Sequence, residues 1–93
     1  MNIQNFEIRV MSYSDLSKAQ EIAQETWSDM ASRELGKKIK LPIRPRRLLE
    51  AYLKQEPHGC FVVEYERDII GAAYCHTWGK IGWIGPFEIL PEM

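Results

Sequence analysis

The sequence predicts a small α/β domain with the element order β-α-α-β-β-β and a mostly antiparallel sheet. Three observations lead to this fold class. Residues 6–11 alternate apolar and polar side chains, residues 16–31 carry an apolar stripe of helical period, and the chain from residue 60 onward reads as three strands joined by short turns. A chain of 93 residues suffices for one domain, so we assign residues 1–93 to a single unit.

The first strand and the first helix follow each other directly. After the strand at 6–11, Ser12 and Ser14 offer hydroxyls suited to an N-cap, and Asp15 suits the positive end of a helix. Gly36 is the natural C-terminal stop because it can adopt the left-handed conformation. The apolar stripe recurs at steps of three and four and consists of Leu16, Ala19, Ala23, Trp27, Met30 and Ala31.

A basic connector precedes the second helix. Pro45 fits the first helical turn, because its fixed φ suits that position and its missing N–H is not needed there. The apolar side of this helix consists of Leu48, Leu49, Tyr52 and Leu53. The basic side chains of the connector predict either a solvated surface or a site that attracts an anionic acceptor, and solvation is the usual outcome for such runs. They are Lys37, Lys38, Lys40, Arg44, Arg46 and Arg47.

Three strands, at 60–66, 69–78 and 81–90, complete the predicted sheet. Arg67-Asp68 is the first predicted turn, and Gly79-Lys80 suits a type II′ turn. Pro86 has no N–H to donate to a ladder, so we expect the last strand to bulge or lose pairing near Gly85 and Pro86.

Counting outward from these turns predicts which residues face each other. Cys60 falls opposite Cys75, which makes a disulfide geometrically conceivable, although two reduced, buried thiols are the expectation for a cytoplasmic chain. Across the second turn, His76 falls opposite Trp83 and Tyr74 opposite Gly85. We expect His76 to be a packing residue beside these aromatic side chains.

Composition excludes several function classes. Twelve basic and 13 acidic residues nearly cancel, which gives no electrostatic argument for binding nucleic acid or a membrane. The N-terminus has no signal-peptide pattern, and no segment is apolar enough to cross a bilayer, so we expect a cytoplasmic protein. The cysteines and histidines lack zinc-site spacing, so no metal is expected.

Three phrases in the meander carry a family resemblance. They are Gly-Cys-Phe-Val-Val-Glu at 59–64, Asp-Ile-Ile-Gly-Ala-Ala at 68–73, and Gly-Trp-Ile-Gly-Pro-Phe-Glu-Ile-Leu-Pro-Glu at 82–92. In this order they resemble the second, third and fourth strands of the GNAT family of N-acetyltransferases. The resemblance implies the N-terminal half of a GNAT domain and, for the family, transfer of acetyl from acetyl-CoA to an amine.

The resemblance also implies roles for individual residues. Backbone groups of Ile89 and Leu90 would pair with the pantetheine arm of acetyl-CoA, and the acetyl carbonyl would lie near the bulge at 85–87. Glu88 is the candidate general base, with a solvent-facing strand position as the alternative. The candidate substrate contacts are Trp27, Tyr74 and Trp83.

The glycine-rich loop that binds the cofactor pyrophosphate in this family has no counterpart in the 93 residues. We therefore expect very weak acetyl-CoA binding by this chain alone and little activity. Two hypotheses follow: a partial or truncated N-acetyltransferase, or a non-catalytic GNAT-like module retained for binding or assembly. Either way, an open edge on the last strand predicts a homo-oligomer or pairing with a missing C-terminal half.

Overall fold

The computed structural model describes residues 5–78 and 80–91. Its four strands form one antiparallel sheet in the order β1-β2-β3-β4, and both helices lie between β1 and β2 in the chain, as predicted. The bounds are β1 Phe6–Val10, α1 Leu16–Leu35, α2 Arg46–Gln55, β2 Cys60–Tyr65, β3 Asp68–Trp78 and β4 Ile81–Ile89, with a single 3-10 turn at Tyr13–Asp15 before α1.

Helix α1 ends where the sequence predicts. Gly36 follows its last residue with φ of 66°, the left-handed conformation that glycine adopts without steric cost. The first half of the predicted apolar stripe is buried in the core, whereas Trp27 and Met30 in the second half are 37% and 45% exposed. The second half of α1 therefore borders an open region instead of the core.

Helix α2 covers the same side of the sheet. Pro45 lies immediately before it as the N-cap residue, with φ of −60° and an extended ψ of 134°, and thus just outside the helix. Leu49 and Leu53 are buried in the core, while Leu48 remains 39% exposed. The core cluster lies between the helices and one sheet face and consists of Met11, Leu16, Ala19, Leu49, Leu53, Cys60, Val62, Ala72 and Tyr74.

The turn between β2 and β3 differs from the prediction. Tyr65 pairs with Asp68, so the two turn residues are Glu66 and Arg67 instead of Arg67 and Asp68. Both have positive φ, 50° and 74°, which is the type I′ signature that matches strand twist in two-residue hairpins. The sequence signal was hidden because neither position holds the usual Asn or Gly.

This shift and an irregularity between Val63 and Glu64 place Cys60 opposite Tyr74, not Cys75. The predicted cysteine pairing is therefore wrong. Because side chains alternate between the two faces of a strand, Cys75 lies on the face opposite to Tyr74 and Cys60. Both thiols are free.

The hairpin between β3 and β4 confirms two predictions. His76 pairs with Trp83, and the register shifts between Ala73 and Cys75, where β4 carries one extra residue. At the bulge, two residues of β4, Gly85 and Pro86, lie opposite the single residue Tyr74 of β3. Gly85 has φ of 152°. The bulge is thus at the expected place, while Gly79 of the predicted type II′ turn lies outside the described residues.

Candidate functional site

Glu88 is the most unusual side chain of the described sheet. It lies on β4 opposite Ala72, on the face that the helices cover, and none of its surface is exposed. The alternative that it is a solvent-facing strand residue is therefore wrong. A carboxylate that is fully buried needs charged or hydrogen-bonding partners to offset the loss of water.

Arg44 is the charged partner of Glu88. Its Nη1 lies 3.1 Å from Oε1 and its Nη2 lies 2.7 Å from Oε2, a two-pronged contact that the planar guanidinium favours. Burial alone would lower the pKa of Arg44, but the hydrogen bonds and charge of Glu88 outweigh this effect and raise the pKa. Only 18% of the arginine side chain is exposed.

Two neighbouring residues of α1 also hold this part of β4. The indole Nε1 of Trp27 donates to Oε2 of Glu88 at 2.8 Å, and Oγ1 of Thr26 donates to the carbonyl of Ile89 at 3.0 Å. Both oxygens of Glu88 are therefore engaged by donors from other elements. The carboxylate joins α1, β4 and the connector at one point.

The connector is tied along α1 over three turns. We call residues 37–45 the strap. The side chains that hold it recur every four residues on one line of the helix, and each bonds to the strap backbone at 2.8–3.1 Å. They are Gln20 to Arg44, Gln24 and Ser28 to Leu41, and Ser32 to Ile39.

A cleft of about 240 Å³ opens between α1 and the strap. Trp27 and Arg44, the two donors to Glu88, form part of its wall. The remaining lining is contributed by Ala23, Gln24, Leu41 and Pro42. The cleft therefore has a largely apolar lining beside one buried ion pair.

Tyr74 lies opposite the β4 bulge with its side chain fully buried in the core. Within the described part of the chain, its hydroxyl has no hydrogen-bond partner. The ring of Tyr52 packs against the ring of Tyr74, with their centroids 5.3 Å apart. Burial raises the pKa of Tyr74, and the negative charge of Glu88 raises it further. A buried, neutral hydroxyl thus lies near the ion pair with its hydrogen-bonding capacity unused.

The structure brings together some of the predicted site residues and separates others. Trp27 contacts Glu88 directly and Tyr74 is electrostatically coupled to it. The side chain of Trp83 lies outside the described residues. His76 packs on Tyr52 with ring centroids 4.9 Å apart, in keeping with the expected packing role.

The backbone positions predicted for the cofactor arm are not equivalent. The N–H of Leu90 donates to the carbonyl of Ile70, so this residue faces β3. In an antiparallel ladder, the backbone N–H and C=O groups of successive residues point to opposite sides of the strand. The backbone groups of Ile89 and Phe87 therefore point away from β3, toward the outer edge. Of the two predicted residues, Ile89 is the one with backbone groups directed to that edge, where its carbonyl already accepts from Thr26.

The basic connector has two different parts. Lys37, Lys38, Lys40 and Arg47 are exposed, as expected of a solvated surface, whereas Arg44 is drawn inward to Glu88. Sequence reasoning treated these residues as one patch and therefore missed the role of Arg44. It also missed the strap contacts, for which the four-residue spacing of polar side chains on α1 was the available signal.

The described residues provide neither a metal-binding cluster nor a membrane-spanning helix. They contain no group of three histidine, cysteine or acidic side chains placed to hold a metal ion. None of the described helices is long and apolar enough to cross a membrane.

Comparison with known proteins identifies the fold. Neither a family model nor a curated protein sequence matches the chain. Among solved structures, a proposed acetyltransferase from Pyrococcus horikoshii superimposes with a TM-score of 0.75 at 19% identity, over 99% of this chain and 30% of that protein. The loading GNATL domain of CurA from Lyngbya majuscula gives 0.69 at 18%, over 94% and 49%.

A third similar structure was solved with coenzyme A and N-acetylglutamate. It is N-acetylglutamate synthase from Neisseria gonorrhoeae, with a TM-score of 0.59 at 20% identity, over 94% of this chain and 18% of that protein. The chain thus spans between a fifth and a half of the length of these proteins. It has the fold of part of a GNAT acetyltransferase domain, in agreement with the resemblance of its strands.

Proposed function

We propose that this chain supplies the acetyl-binding part of a GNAT-type N-acetyltransferase site, which transfers acetyl from acetyl-CoA to an amine. The observation that carries the proposal is the bulge of β4 at Gly85 and Pro86, opposite Tyr74. A bulge re-aims backbone groups and ends regular pairing, which makes room at a strand edge for an extended ligand. The outer edge beyond the bulge presents the backbone of Phe87 and the N–H of Ile89, whose carbonyl accepts from Thr26.

In this proposal the pantetheine arm extends along that outer edge and pairs with it as an added strand would. The neutral amine nitrogen attacks the thioester carbonyl near Gly85, the C–S bond breaks, and the thiolate of coenzyme A leaves with the electron pair. The proton that the nitrogen loses passes through solvent to this thiolate. The unused hydroxyl of Tyr74 is a candidate hydrogen-bond donor to a group bound beside the bulge. Trp27 contributes to the wall on the acceptor side.

Glu88 has a second role in this proposal besides that of a candidate base. Since Arg44 and Trp27 occupy both of its oxygens, Glu88 can accept the amine proton only if one of these donors moves away. Its hydrogen bonds instead hold Trp27 and Arg44 in fixed orientations in the cleft wall. We therefore propose Glu88 foremost as a positioning residue.

The alternative function is a non-catalytic module that binds an acyl thioester or a protein partner without transfer. This alternative is favoured because both oxygens of Glu88 already accept hydrogen bonds, so that Glu88 is not free to act as a base. No other carboxylate among the described residues lies in the cluster with Trp27 and Arg44. A module of this kind would bind the thioester at the β4 edge and leave an added amine unmodified.

We propose a second copy of the chain as the partner of the β4 edge. β4 ends the sheet order β1-β2-β3-β4, and an unpaired edge exposes backbone donors and acceptors that another strand can bond. Sedimentation is expected to show association that rises with concentration and falls on adding the thioester. A clean monomer at high concentration would contradict this.

The proposed function is tested by melting-temperature titrations with three compounds: acetyl-CoA, S-acetylpantetheine and adenosine 3′,5′-bisphosphate. Because the proposed site would hold only the acetyl-pantetheine part of the cofactor, the first two are expected to raise the melting temperature equally and only at about millimolar concentration. The nucleotide is expected to leave it unchanged. Stabilisation by the nucleotide alone, or by none of the three, would contradict the proposal.

A further inference from the structure

The cleft between α1 and the strap has a size that restricts its occupant. Its volume of about 240 Å³ lies below the roughly 300–1,000 Å³ of sites for drug-sized ligands. Trp27, Leu41 and Pro42 supply apolar surface. The volume therefore suits a single side chain or a group of comparable size.

Four side-chain nitrogen donors of the lining are already bonded within the protein. Arg44 directs both terminal nitrogens at Glu88, and the indole nitrogen of Trp27 does the same. The side-chain nitrogen of Gln24 donates to the carbonyl of Leu41. An anionic group would find these donors engaged, and a cationic group would find no acidic side chain among the described lining residues. Burial of an unpaired charge is strongly unfavourable.

The Arg44–Glu88 ion pair leaves the wall of the cleft without net charge. The charge of Arg44 would attract an anion if Glu88 were absent, and the charge of Glu88 would attract a cation if Arg44 were absent. With both present, the positive charge of Arg44 is cancelled at the cleft wall. The strap bonds to α1 keep the backbone of Arg44 in place, with its carbonyl bonded to Gln20.

We infer that this cleft is a subsite for one uncharged, apolar side chain of the acceptor, and that the Arg44–Glu88 pair excludes charged side chains from it. The inference rests on the proposed function for the identity of the ligand as an acceptor. Its binding test does not depend on acetyl transfer, so the two can fail separately.

The test uses three matched probes and no acetyl-CoA: the N-acetyl methylamides of leucine, aspartate and lysine. Binding is followed by the indole N–H nuclear magnetic resonance of Trp27, assigned by its loss in Trp27→Phe. The leucine probe is expected to bind the native chain at least roughly tenfold more tightly than either charged probe. Equal or tighter binding of a charged probe, or no shift with any probe up to its solubility limit, would overturn the inference.

Reciprocal variants test the charge argument. Arg44→Gln is expected to move the preference to the lysine probe, and Glu88→Gln to the aspartate probe. The double variant Arg44→Gln/Glu88→Gln has no buried charge to destabilise the fold, and it is expected to retain the leucine preference.

Arg47→Gln is the matched control, because it removes an exposed positive charge outside the cleft lining and is expected to leave the preference unchanged. If the single variants fail to fold, the double variant decides: a loss of the leucine preference there overturns the assigned subsite. A change in Arg47→Gln as large as in Arg44→Gln would overturn the role of Arg44.

Discussion

At each edge strand of the sheet, an arginine forms a bidentate ion pair with a carboxylate and so links the strand to the helical side of the molecule. On β1, Arg9 contacts Asp15 at 2.8 and 2.9 Å and reaches Glu64 at 3.0 Å. At β4, Arg44 contacts Glu88 at 2.7 and 3.1 Å. The bonding is similar, but the surroundings are not.

The Arg9–Asp15 pair is local in the chain, although the same guanidinium also reaches Glu64 on β2, 55 positions away. Arg9 and Asp15 are six residues apart, and the backbone N–H of Ser12 adds a third donor to Asp15 at 2.8 Å. This cluster fixes the junction between β1 and α1. The Arg44–Glu88 pair instead joins residues 44 positions apart and borders a cleft and a bulged edge. An ion pair therefore indicates a site only through its surroundings.

The largest expected difference between the two edges is in stability. Arg44→Ala leaves the buried carboxylate of Glu88 without a positively charged partner. This is expected to lower the free energy of unfolding by about 3–5 kcal/mol. Arg9→Ala is expected to cost about 1–2 kcal/mol, because 36% of Arg9 is exposed and Asp15 keeps its Ser12 donors. Urea denaturation measures both, and equal losses would remove the distinction between the edges.

The β4 edge also holds a backbone position that glycine adopts more easily than any other residue. Gly85→Ala is expected to cost about 1–3 kcal/mol, since φ of 152° is unfavourable for a residue with a side chain. The matched control on the same strand is Gly82→Ala, because a Cβ there would meet only a Thr77 methyl at 4.0 Å. Thermal unfolding of the two variants compares them, and identical melting temperatures would contradict the assigned bulge.

The β1 edge should determine the acid response. Arg9 foremost, and the Ser12 hydrogen bonds after it, lower the pKa of Asp15 from 3.8 to about 2. A lowered folded-state pKa stabilises the protein above pH 4 and loses this contribution as pH falls toward 2, a total of about 2 kcal/mol. Asp15→Asn should therefore flatten the loss of stability between pH 4 and 2, measured by urea denaturation. An unchanged slope would show that the acid response arises elsewhere.

The smallest expected effect concerns the strap. Gln24→Ala removes one side-chain bond to the carbonyl of Leu41 and should cost about 1 kcal/mol in urea denaturation. Glu34→Ala, at an exposed position on the same helix, is the control and is expected to stay within about 0.5 kcal/mol of the native chain. If both variants equal the native chain, the strap bonds do not hold the cleft wall.

Much of the fold could be predicted from the sequence, because periodicity and special residues act locally. Gly36 and Pro86 each impose a backbone constraint at their own position, and the helix end and the bulge lie there. The turn at Glu66 and Arg67 could not be predicted because its positive φ values are imposed by the strands that it joins. The partnership of Arg44 with Glu88 depends on how the strap packs over β4, which local patterns do not encode.

We propose that the bulged β4 edge, and not the β1 edge, is the functional edge of this sheet. The most direct test is a titration of the native chain with S-acetylpantetheine, followed by the backbone amide resonances. The shifts are expected to concentrate at Gly85, Phe87 and Ile89 and to leave Glu7 and Arg9 unchanged. Shifts at β1 instead, or an equal response of both edges, would contradict it.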